Sequence, residues 1–565
     1  MARAIEIVSA TGEIATLPGH GHLVFWGEDV PPNGEPGFAP NCLFIYASAD
    51  AGAASLYTNR GDKDSCQFSP YEADGSSFAD LATESELVQN SASSGAANST
   101  ALQGANDSGS QVRNWFLRGG NGDTRPYYFS RTVTLTGIGR AWEGLGRHAW
   151  ATGTIDYSSI LLMSADDAAT SFNGTTITAT ATSATNSVLT VTGRTVHASD
   201  LYNSIKITGG THFTTGWYTI TAVNTTSNTW TLDRNCTDGS AASAMQVRYC
   251  PELIQNAGGG HRHIGLNFEG KKNSSASAAG AIGYHVLTGA QVAPPGTYIT
   301  GQHYFESCSF MNFDYALLCG AGMAKFGEAA NSWHGRTDNF ADTIVLNHVT
   351  FYNVVDAIVV RNYQSVDHIA TAVHAYLTGS LYRFDAGGKL FAQGIELAGD
   401  SGYQRILTLG GGVNSNNGPY KVSGFSFDGA TRNPQLIVTE FTNLTANMVC
   451  NVTFEDGNIS RNDADNDDLY LVDIQSCITL TLRNIQGTAS MNGIWADSIR
   501  LRQGPSEGGF GRKPLVFIEN CRVNVVSSQT EVIDNANSDT GIKVVFRGCH
   551  NGRGTVYDDQ VFTTG

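Results

Sequence analysis

The chain of 565 residues has few charged residues, prolines and cysteines, and each shortage argues against a class of protein. Charged residues make up 15%, and there are 14 prolines against 64 glycines. This composition suits a surface of β faces and tight turns better than one of exposed helices. The 10 cysteines are too dilute for a disulfide scaffold and include no Cys-x-x-Cys pair. We therefore expect reduced thiols and no zinc or redox motif.

Basic runs and long apolar runs are also missing. The formal charge of −17 opposes binding to nucleic-acid phosphates, so nucleic acid is not an expected partner. An acidic polysaccharide would likewise be repelled at long range. The N-terminal residues lack the apolar region of a signal peptide, and no run approaches the ~20 apolar residues of a membrane helix. These absences predict a soluble protein that neither enters a membrane nor carries a cofactor.

What the sequence does contain is one short template, found eight times in its second half. A central apolar residue has, in all copies but one, a second apolar residue three positions earlier, and often a Phe two positions later. The central residues are Leu266, Cys308, Val349, Phe425, Val452, Ile485, Cys521 and Cys549.

The spacing of the template requires a bend in each copy. Residues three apart on an unbroken strand point to opposite faces, so both can face a core only if the backbone turns between them. The position before each central residue holds Gly265, Ser307, His348, Gly424, Asn451, Asn484, Asn520 and Gly548. Six of the eight are Gly or Asn, the residues that best tolerate a left-handed backbone. The template therefore predicts two short strands joined by a corner, which is the coil of a parallel β-helix.

Three segments carry a resemblance to known β-helices: 305–310, 482–485 and 517–523. They resemble coils of right-handed parallel β-helices of the pectate lyase and phage tailspike kind, over roughly residues 250 to 560. The resemblance implies an all-β fold, a right-handed single-stranded parallel β-helix with a small N-terminal β module and an inserted small antiparallel β domain. The same coil serves lyases, hydrolases and inert fibres, so it implies architecture and not chemistry.

The first 70 residues alternate short apolar runs with turn residues, which predicts a β module. Segments 36–44, 56–61 and 65–68 resemble a small N-terminal module of virion proteins of tailed phages. The resemblance implies that the module anchors the chain to the particle. The residues proposed for this docking are Phe38, Leu43, Phe44, Leu56 and Tyr57. The alternative is that these side chains form the interior of a module without a docking role.

Composition divides the rest of the chain. Residues 71–112 are rich in Ser, Ala, Asn and Gly and hold no Lys or Arg, which predicts a flexible arm. Residues 113–173 are expected to start or cap the β-helix, and the Thr-apolar alternation of 174–249 predicts the antiparallel domain. Residues 250–565 are assigned to the β-helix and its C-terminal end. The interval between Val349 and Phe425 leaves room for about two further coils, through 369–377 and 395–397.

Two carboxylate pairs are candidates for catalysis, although none is assigned that role. Asp428 and Glu455 each stand three positions after a central residue, which would make them neighbours on adjacent coils at about 4.8 Å. Glu396 and Asp400 form a second pair in the irregular interval. Glycoside hydrolases need two carboxylates about 5 to 9 Å apart. Asp428 and Glu455 also fit ordinary turn sequences, which explains them without catalysis.

The interval 320–340 is the longest loop expected to leave the β-helix, and loops of this kind often carry function. It contains Trp333, His334 and Arg336, which could stack on and hydrogen-bond a glycan. Packing against a neighbouring subunit is the preferred explanation of these residues.

Metal binding has two weak candidates. Asp463, Asp465 and Asp467 alternate as in a calcium loop, but Asp468 and Ile474 stand where an EF-hand needs Gly and Glu. The paired histidines of the 261–263 segment would share one strand face, yet no third ligand is specified. We therefore expect no metal site.

An N-terminal virion-like module, an arm and a β-helix together resemble the layout of phage spikes and fibres, which are usually homotrimers. The resemblance implies a structural virion component assembled in the host cytoplasm: a fibre, spike or capsid-decoration protein that is anchored to capsid or tail proteins and used in host adsorption. The alternative is a tailspike depolymerase, a hydrolase or lyase that cleaves host capsule or lipopolysaccharide. It would show carboxylates and aromatic residues clustered on one outward strip.

Overall fold

The structure is a computed structural model, and it describes only part of the chain. The described residues are 12–17, 21–27, 34, 36, 38–46, 56–59, 61, 64–70, 78–80, 87–88, 91–107, 114–117, 126–136, 141–144, 159–163, 171–180, 187–191, 194–238, 243–270, 281–287, 291, 301–320, 322–323, 342–362, 365–399, 404–411, 418–428, 434–441, 449–460, 470–487, 493–507, 510–525, 528–552, 554–557 and 560–565. The chain divides into two compact units, Met1–Phe78 and Ala79–Gly565.

The first unit contains a five-stranded sheet. Its strands are Gly12–Leu17, Gly21–Gly27, Phe38–Tyr46, Leu56–Asn59 and Phe68–Pro70. The second and third strands are parallel, and the other neighbours are antiparallel. The β module expected at this end of the chain is therefore present.

Asn59 ties this module together from inside. Its buried side-chain amide donates to the carbonyl of Phe38 at 3.0 Å, while its oxygen accepts from the N–H groups of Gly61 and Gln67 at 2.9 and 2.8 Å. A Cβ on Gly61 would lie 2.2 Å from the carbonyl oxygen of Ser65, so the tight loop requires glycine there. The Asn-Arg-Gly motif thus fixes the loop geometry.

The second unit is built on three parallel ladders of strands. The first ladder contains Asn114–Phe116, Ala141–Glu143, Arg262–Ile264, Gln302–Glu306, Thr343–Asn347, Val449–Glu455, Cys477–Arg483, Leu515–Glu519 and Lys543–Arg547. The second contains Tyr127–Phe129, Ser159–Met163, Leu266–Glu269, Ser309–Met311, Thr350–Val354 and Asn458–Ile459. Three long strands run through both ladders: Asp367–Leu377, Lys389–Ala398 and Tyr420–Phe427.

The third ladder closes each coil. Its strands are Val133–Leu135, Glu252–Asn256, Ile282–Val286, Tyr315–Cys319, Asp356–Arg361, Ser380–Ala386, Gln404–Gly411, Pro434–Phe441, Val472–Gln475 and Ile499–Arg502. Every neighbouring pair described within the three ladders is parallel, as in Phe310 opposite Phe351. The predicted parallel β-helix is confirmed.

Short strands outside the ladders complete the unit. Ile494–Trp495 pairs with Val523–Asn524, Gly504–Glu507 with Phe510–Arg512, and Cys549–His550 with Val556–Tyr557. Gln560–Thr563 lies antiparallel to Lys543–Arg547, so it ends the parallel order of the first ladder. Phe78–Asp80 is a further strand, and short 3-10 helices span Ala92–Ser94, Ala198–Asp200 and Gln529–Val532.

The corners between the first and second ladders have the predicted left-handed backbone. Ten coils place one residue there with φ between 51° and 68°. These residues are Gly265, Ser307, His348, Ala372, Gly394, Gly424, Asp456, Asn484, Asn520 and Gly548. Seven of the eight predicted corners are confirmed. Ala372 and Gly394 belong to the two coils expected between Val349 and Phe425, and these coils are confirmed as well.

The predicted corner at Asn451 is wrong, and the corner of that coil is Asp456. Val452 pairs with Tyr420 inside the first ladder, so it is not a central residue. The residue after the corner is Gly457, where a Cβ would lie 2.1 Å from the ring of Phe425 in the previous coil. A search for an apolar central residue misses this coil because the Phe425 ring fills the space that such a residue would take.

Aromatic side chains stack along the interior of the β-helix. The rings of Phe268 and Phe310 are stacked with centroids 4.7 Å apart, and Phe310 and Phe351 follow at 5.7 Å. His263 is fully buried in a parallel stack with Phe305 at 5.1 Å. Coils in register therefore bring like side chains into contact, and this buried apolar area supplies most of the stabilisation.

The flexible arm expected at 71–112 is corrected for residues 95–107, which form the helix α1 (Gly95–Asp107). Its buried side chains are mostly polar, and Leu102 is the one large apolar residue among them. Asn98 donates to the carbonyl of Tyr128 at 3.0 Å, and Ser99 donates to that of Arg131 at 3.0 Å. Polar groups of the first coil thus order a segment whose own apolar content is too low to do so.

An antiparallel barrel interrupts the second coil. It contains Ser171–Thr180, Val188–Thr190, Ser204–Thr211, Gly216–Asn224, Thr229–Leu232 and Ser243–Cys250. Asp200 ties its interior together, because it accepts from Trp230 Nε1 at 3.1 Å and from the Tyr249 hydroxyl at 3.0 Å and pairs with Arg194 at 2.5 Å. The inserted antiparallel domain is confirmed.

Described cysteines are buried throughout the chain. Burial raises the pKa of the Cys308 and Cys521 thiols to about 12, so these side chains stay protonated and serve as small apolar core residues. No helix in the described ranges combines the length and the hydrophobicity needed to cross a membrane.

Candidate functional site

Aromatic and acidic side chains cluster on the outward face of the second ladder. The cluster consists of Tyr352, His374, Tyr376, Glu396 and Asp428, and we call it the tyrosine-carboxylate strip. Three successive coils and the end of a fourth strand supply it. Tyr352 is 42% exposed, so the strip is open to solvent.

Strand register brings these residues together. Tyr352 pairs with Tyr376, and His374 pairs with Glu396 one coil further on. Leu397 pairs with Phe427, which places Asp428 just past the end of the next strand. It lies in the column that Ala398 shares with Tyr376, one coil beyond Ala398. Side chains alternate between the two faces of each strand, so all five project away from the core.

The geometry of the strip couples its rings to its carboxylates. The Tyr352 and Tyr376 rings meet edge to face at 5.7 Å, and the His374 ring lies 5.5 Å from that of Tyr376. His374 Nε2 lies 3.9 Å from the Glu396 carboxylate. Partial burial, and then the charges of Asp428 and Glu396, raise the pKa of Tyr376, so its hydroxyl stays protonated.

This arrangement fits the chemistry of a saccharide. Ring faces contact the apolar C–H face of a sugar, while carboxylates and hydroxyls exchange hydrogen bonds with its hydroxyl groups. Glycoside hydrolysis uses two carboxyl groups, and the strip contains two, those of Glu396 and Asp428. The strip therefore meets the expectation stated for the alternative function, a cluster of carboxylates and aromatic residues on one outward surface.

The sequence-predicted pair of Asp428 and Glu455 is corrected. Since the corner is at Asp456, Glu455 lies on the first ladder opposite Ser423 and Arg483, away from the register position of Asp428. Glu455 instead forms ion pairs with Lys421 at 2.5 Å and Arg483 at 3.7 Å. Glu396 stays a candidate, now on the same strip as Asp428, while its predicted partner Asp400 lies outside the described residues.

Trp333, His334 and Arg336 lie outside the described residues, and so do Asp463, Asp465 and Asp467. Within the described ranges, no three His, Cys, Asp or Glu side chains form a group able to hold a metal ion.

Docking through Phe38 and Phe44 is corrected, because both are core residues of the N-terminal module. They are 7% and 0% exposed and pack on the Phe68 ring at 5.1 and 5.8 Å. A side chain without exposed surface cannot itself contact a particle. Leu43 and Tyr57 are half-buried, while the side chain of Leu56 lies outside the described ones.

A charged cluster on the outer face of the third ladder is largely buried and internally paired. Asp385 accepts from Arg361 at 2.9 Å and from Arg383 at 3.0 Å, and Glu440 pairs with Arg383 at 2.9 Å and Arg405 at 3.0 Å. Burial alone would raise the pKa of Asp385, but the two guanidinium groups outweigh it and hold that pKa below its ordinary value. The cluster joins four coils, and both of its carboxylates are held in ion pairs.

Sequence reasoning missed Tyr352, His374 and Tyr376. A usable signal was present, because two extra coils were expected through 369–377 and 395–397. Aligning Ile395 with Phe425 and Val373 with Ile395 would have placed His374 beside Glu396.

Searches of known structures find similarity to phage tailspikes. Tailspike protein 3 of bacteriophage CBA120 matches at 11% identity and a TM-score of 0.25, over 88% of this chain and 64% of that chain. The tailspike gp49 of Pseudomonas phage LKA1 matches at 13% identity and a TM-score of 0.16, over 73% of this chain and 77% of that chain. The Gp54 tailspike of Acinetobacter baumannii bacteriophage AP22 was solved in complex with a capsular saccharide. It matches at 9% identity and a TM-score of 0.15, over 81% of this chain and 75% of that chain.

A scan of protein-family models and a search of curated proteins find no match. The chain spans less than two thirds of the CBA120 tailspike, and all three TM-scores are below 0.5. The assignment of the fold therefore rests on the register of the ladders. By that register, the chain is a single-stranded parallel β-helix protein with an inserted antiparallel barrel and an N-terminal β module.

Proposed function

We propose that this protein is a structural component of a phage particle whose β-helix binds host-surface polysaccharide through the tyrosine-carboxylate strip. The strip is the observation that supports this proposal. Two tyrosines, a histidine and two carboxylates on one open face are not required for a β-helix to fold, so a fibre without a binding role would not be expected to have them. The N-terminal module, which is a compact unit of its own, is the proposed anchor to capsid or tail proteins. A homotrimer in the virion, assembled in the host cytoplasm, belongs to the same proposal.

One experiment tests both halves of this proposal. Purified full-length protein is incubated with capsule or lipopolysaccharide from candidate hosts, and bound protein is measured by pull-down. A form that lacks residues 1–70 is compared with it for association with particles. The proposal expects the shortened form to bind polysaccharide but to be lost from particles. Full-length protein that binds none of the tested host polysaccharides would contradict it.

Polysaccharide cleavage is a second candidate function, and the presence of Glu396 and Asp428 near Tyr376 on one strip favours it. A hydrolase needs one carboxyl to donate a proton and a second carboxylate to act on the sugar or on water. Measuring new reducing or unsaturated ends in the same incubation decides between the two. Release that is lost in both Glu396→Gln and Asp428→Asn would establish cleavage at the strip, whereas binding without release supports the non-enzymatic function.

A further inference from the structure

A cleft of about 480 Å³ lies where the inserted barrel meets the outer face of the third ladder. The barrel contributes Lys206, Trp217 and Arg234 to its wall, and the β-helix contributes Tyr315 and Met323. The cleft is therefore aromatic and cationic, in a chain whose formal charge is −17. It lies on a different ladder from the tyrosine-carboxylate strip.

The wall of the cleft is held in place by contacts between the barrel and the β-helix. The backbone N–H of Met323 donates to the hydroxyl of Ser204 at 3.1 Å. Met323 and Tyr315 belong to one apolar cluster, against which Trp217 packs. Because both sides are fixed by packing and by a buried hydrogen bond, the cleft is formed before a ligand enters.

The two cations of the cleft differ in their availability. The Arg234 guanidinium pairs with the Asp233 carboxylate at 3.0 Å, donates to the Trp217 carbonyl and lies 4.0 Å above the Tyr218 ring. Its charge is balanced within the barrel.

Lys206 is the available cation. Its ammonium lies 5.5 Å from the centre of the Trp217 ring, and no hydrogen bond or ion pair occupies it among the residues the structure describes. The side chain is half-buried at the mouth of the cleft, which strengthens its attraction for an anion relative to a fully hydrated lysine. A ligand without a negative charge would form no ion pair with Lys206.

We propose that the cleft binds a sugar unit that carries a carboxylate. Lys206 pairs with the carboxylate, the Trp217 side chain contacts the ring, and the exposed Thr214 and Thr215 line the same cleft, where their hydroxyls can bond those of the sugar. The negative charge of the whole chain opposes a long polyanion, but salt screens that repulsion beyond about 8 Å at physiological ionic strength. Short acidic segments or chain ends are therefore the expected ligands.

The test uses the full-length protein and three small probes: galacturonate, galactose and glucose 6-phosphate. Their affinities are measured by saturation-transfer NMR titration at physiological salt. We expect galacturonate to bind more tightly than galactose, from which it differs by the carboxylate. The Lys206→Met variant keeps the apolar stem and removes the charge, and it should weaken galacturonate binding by about tenfold while leaving galactose unchanged.

Matched variants separate this result from a folding defect. Lys543→Met makes the same substitution on an exposed lysine of the last first-ladder strand, and it should bind galacturonate like the wild type. Tyr376→Ala alters only the tyrosine-carboxylate strip and should also leave this binding intact, so the proposed function and this site can fail separately. Equal binding of galacturonate and galactose, an unchanged Lys206→Met variant, or preference for the phosphate would each overturn the proposal.

Discussion

The side-chain amide of Gln103 forms two hydrogen bonds with the backbone of Thr134. It accepts from the Thr134 N–H at 2.7 Å and donates to the Thr134 carbonyl at 2.9 Å. Thr134 lies in Val133–Leu135, the edge strand of the third ladder. A glutamine on α1 thus takes the place of a neighbouring strand at the open end of the β-helix, where unpaired backbone groups would otherwise invite association.

Replacing Gln103 by Leu should destabilise the first coil, because it removes both hydrogen bonds from a partly covered edge. We expect a loss of about 1 to 3 kcal/mol in local stability, measured as faster hydrogen exchange at the Thr134 amide. Thr100→Ala, on the same helix but exposed, is the control and should leave that amide protected. Unchanged exchange in Gln103→Leu would mean that the helix does not protect the edge.

Substituting Gly457 by Ala should destabilise the protein by about 1 to 3 kcal/mol, because the added methyl would overlap the Phe425 ring. Chemical denaturation of the purified variant measures the effect. Combining Gly457→Ala with Phe425→Leu should recover part of the loss, since the smaller side chain leaves room for the methyl. A double variant no more stable than the sum of its single changes would contradict this packing.

Acid should destabilise the β-helix through its buried histidines. Burial, and then neighbouring His261 and His303, hold the pKa of His263 well below its ordinary value, and burial lowers that of His368 to about 3. The unfolded chain therefore binds protons below about pH 6.5 that the folded chain does not, and stability present above that pH is lost as the pH falls.

The His263→Phe variant isolates this contribution. Phenylalanine suits the surrounding rings and cannot titrate, so between pH 6.5 and 4 its denaturation midpoint should fall less than that of the wild type. The difference between the two proteins in the free energy of unfolding should grow by up to about 1.4 kcal/mol for each pH unit below 6.5. Parallel pH profiles of the two proteins would show that His263 does not contribute.

Removing the Tyr376 ring should weaken polysaccharide binding. Tyr376 contacts both Tyr352 and His374, so Tyr376→Ala removes the centre of the strip, with an expected loss of about tenfold in affinity. Phe391→Ala is the matched control, because Phe391 is 45% exposed but lies on the first ladder. Equal losses in both variants would place the binding surface elsewhere.

Two sequence signals predicted the architecture well: the resemblance of three segments to known β-helix coils, and the residues that tolerate a left-handed corner. The same signals predicted the site poorly. A corner residue is constrained by its own backbone, so Gly424 or Asn520 could be recognised from local sequence. The strip depends on register between coils, and one misplaced corner at Asn451 was enough to pair Asp428 with the wrong carboxylate. The helix at 95–107 was missed because its order comes from hydrogen bonds to the first coil, which composition does not report.

The sequence by itself determined the coil, because the alternation of apolar residues and the αL-tolerant position before each centre act within a few residues. It also determined the inserted antiparallel domain and the separate module at the start of the chain. Only the tertiary structure decided which outward residues meet. Neighbours on adjacent coils, such as His374 and Glu396, are separated by about 20 to 40 positions in the chain. How each coil bends decides which of them meet, so Glu396, Asp428 and Tyr376 come to lie on one strip through packing that no local pattern encodes.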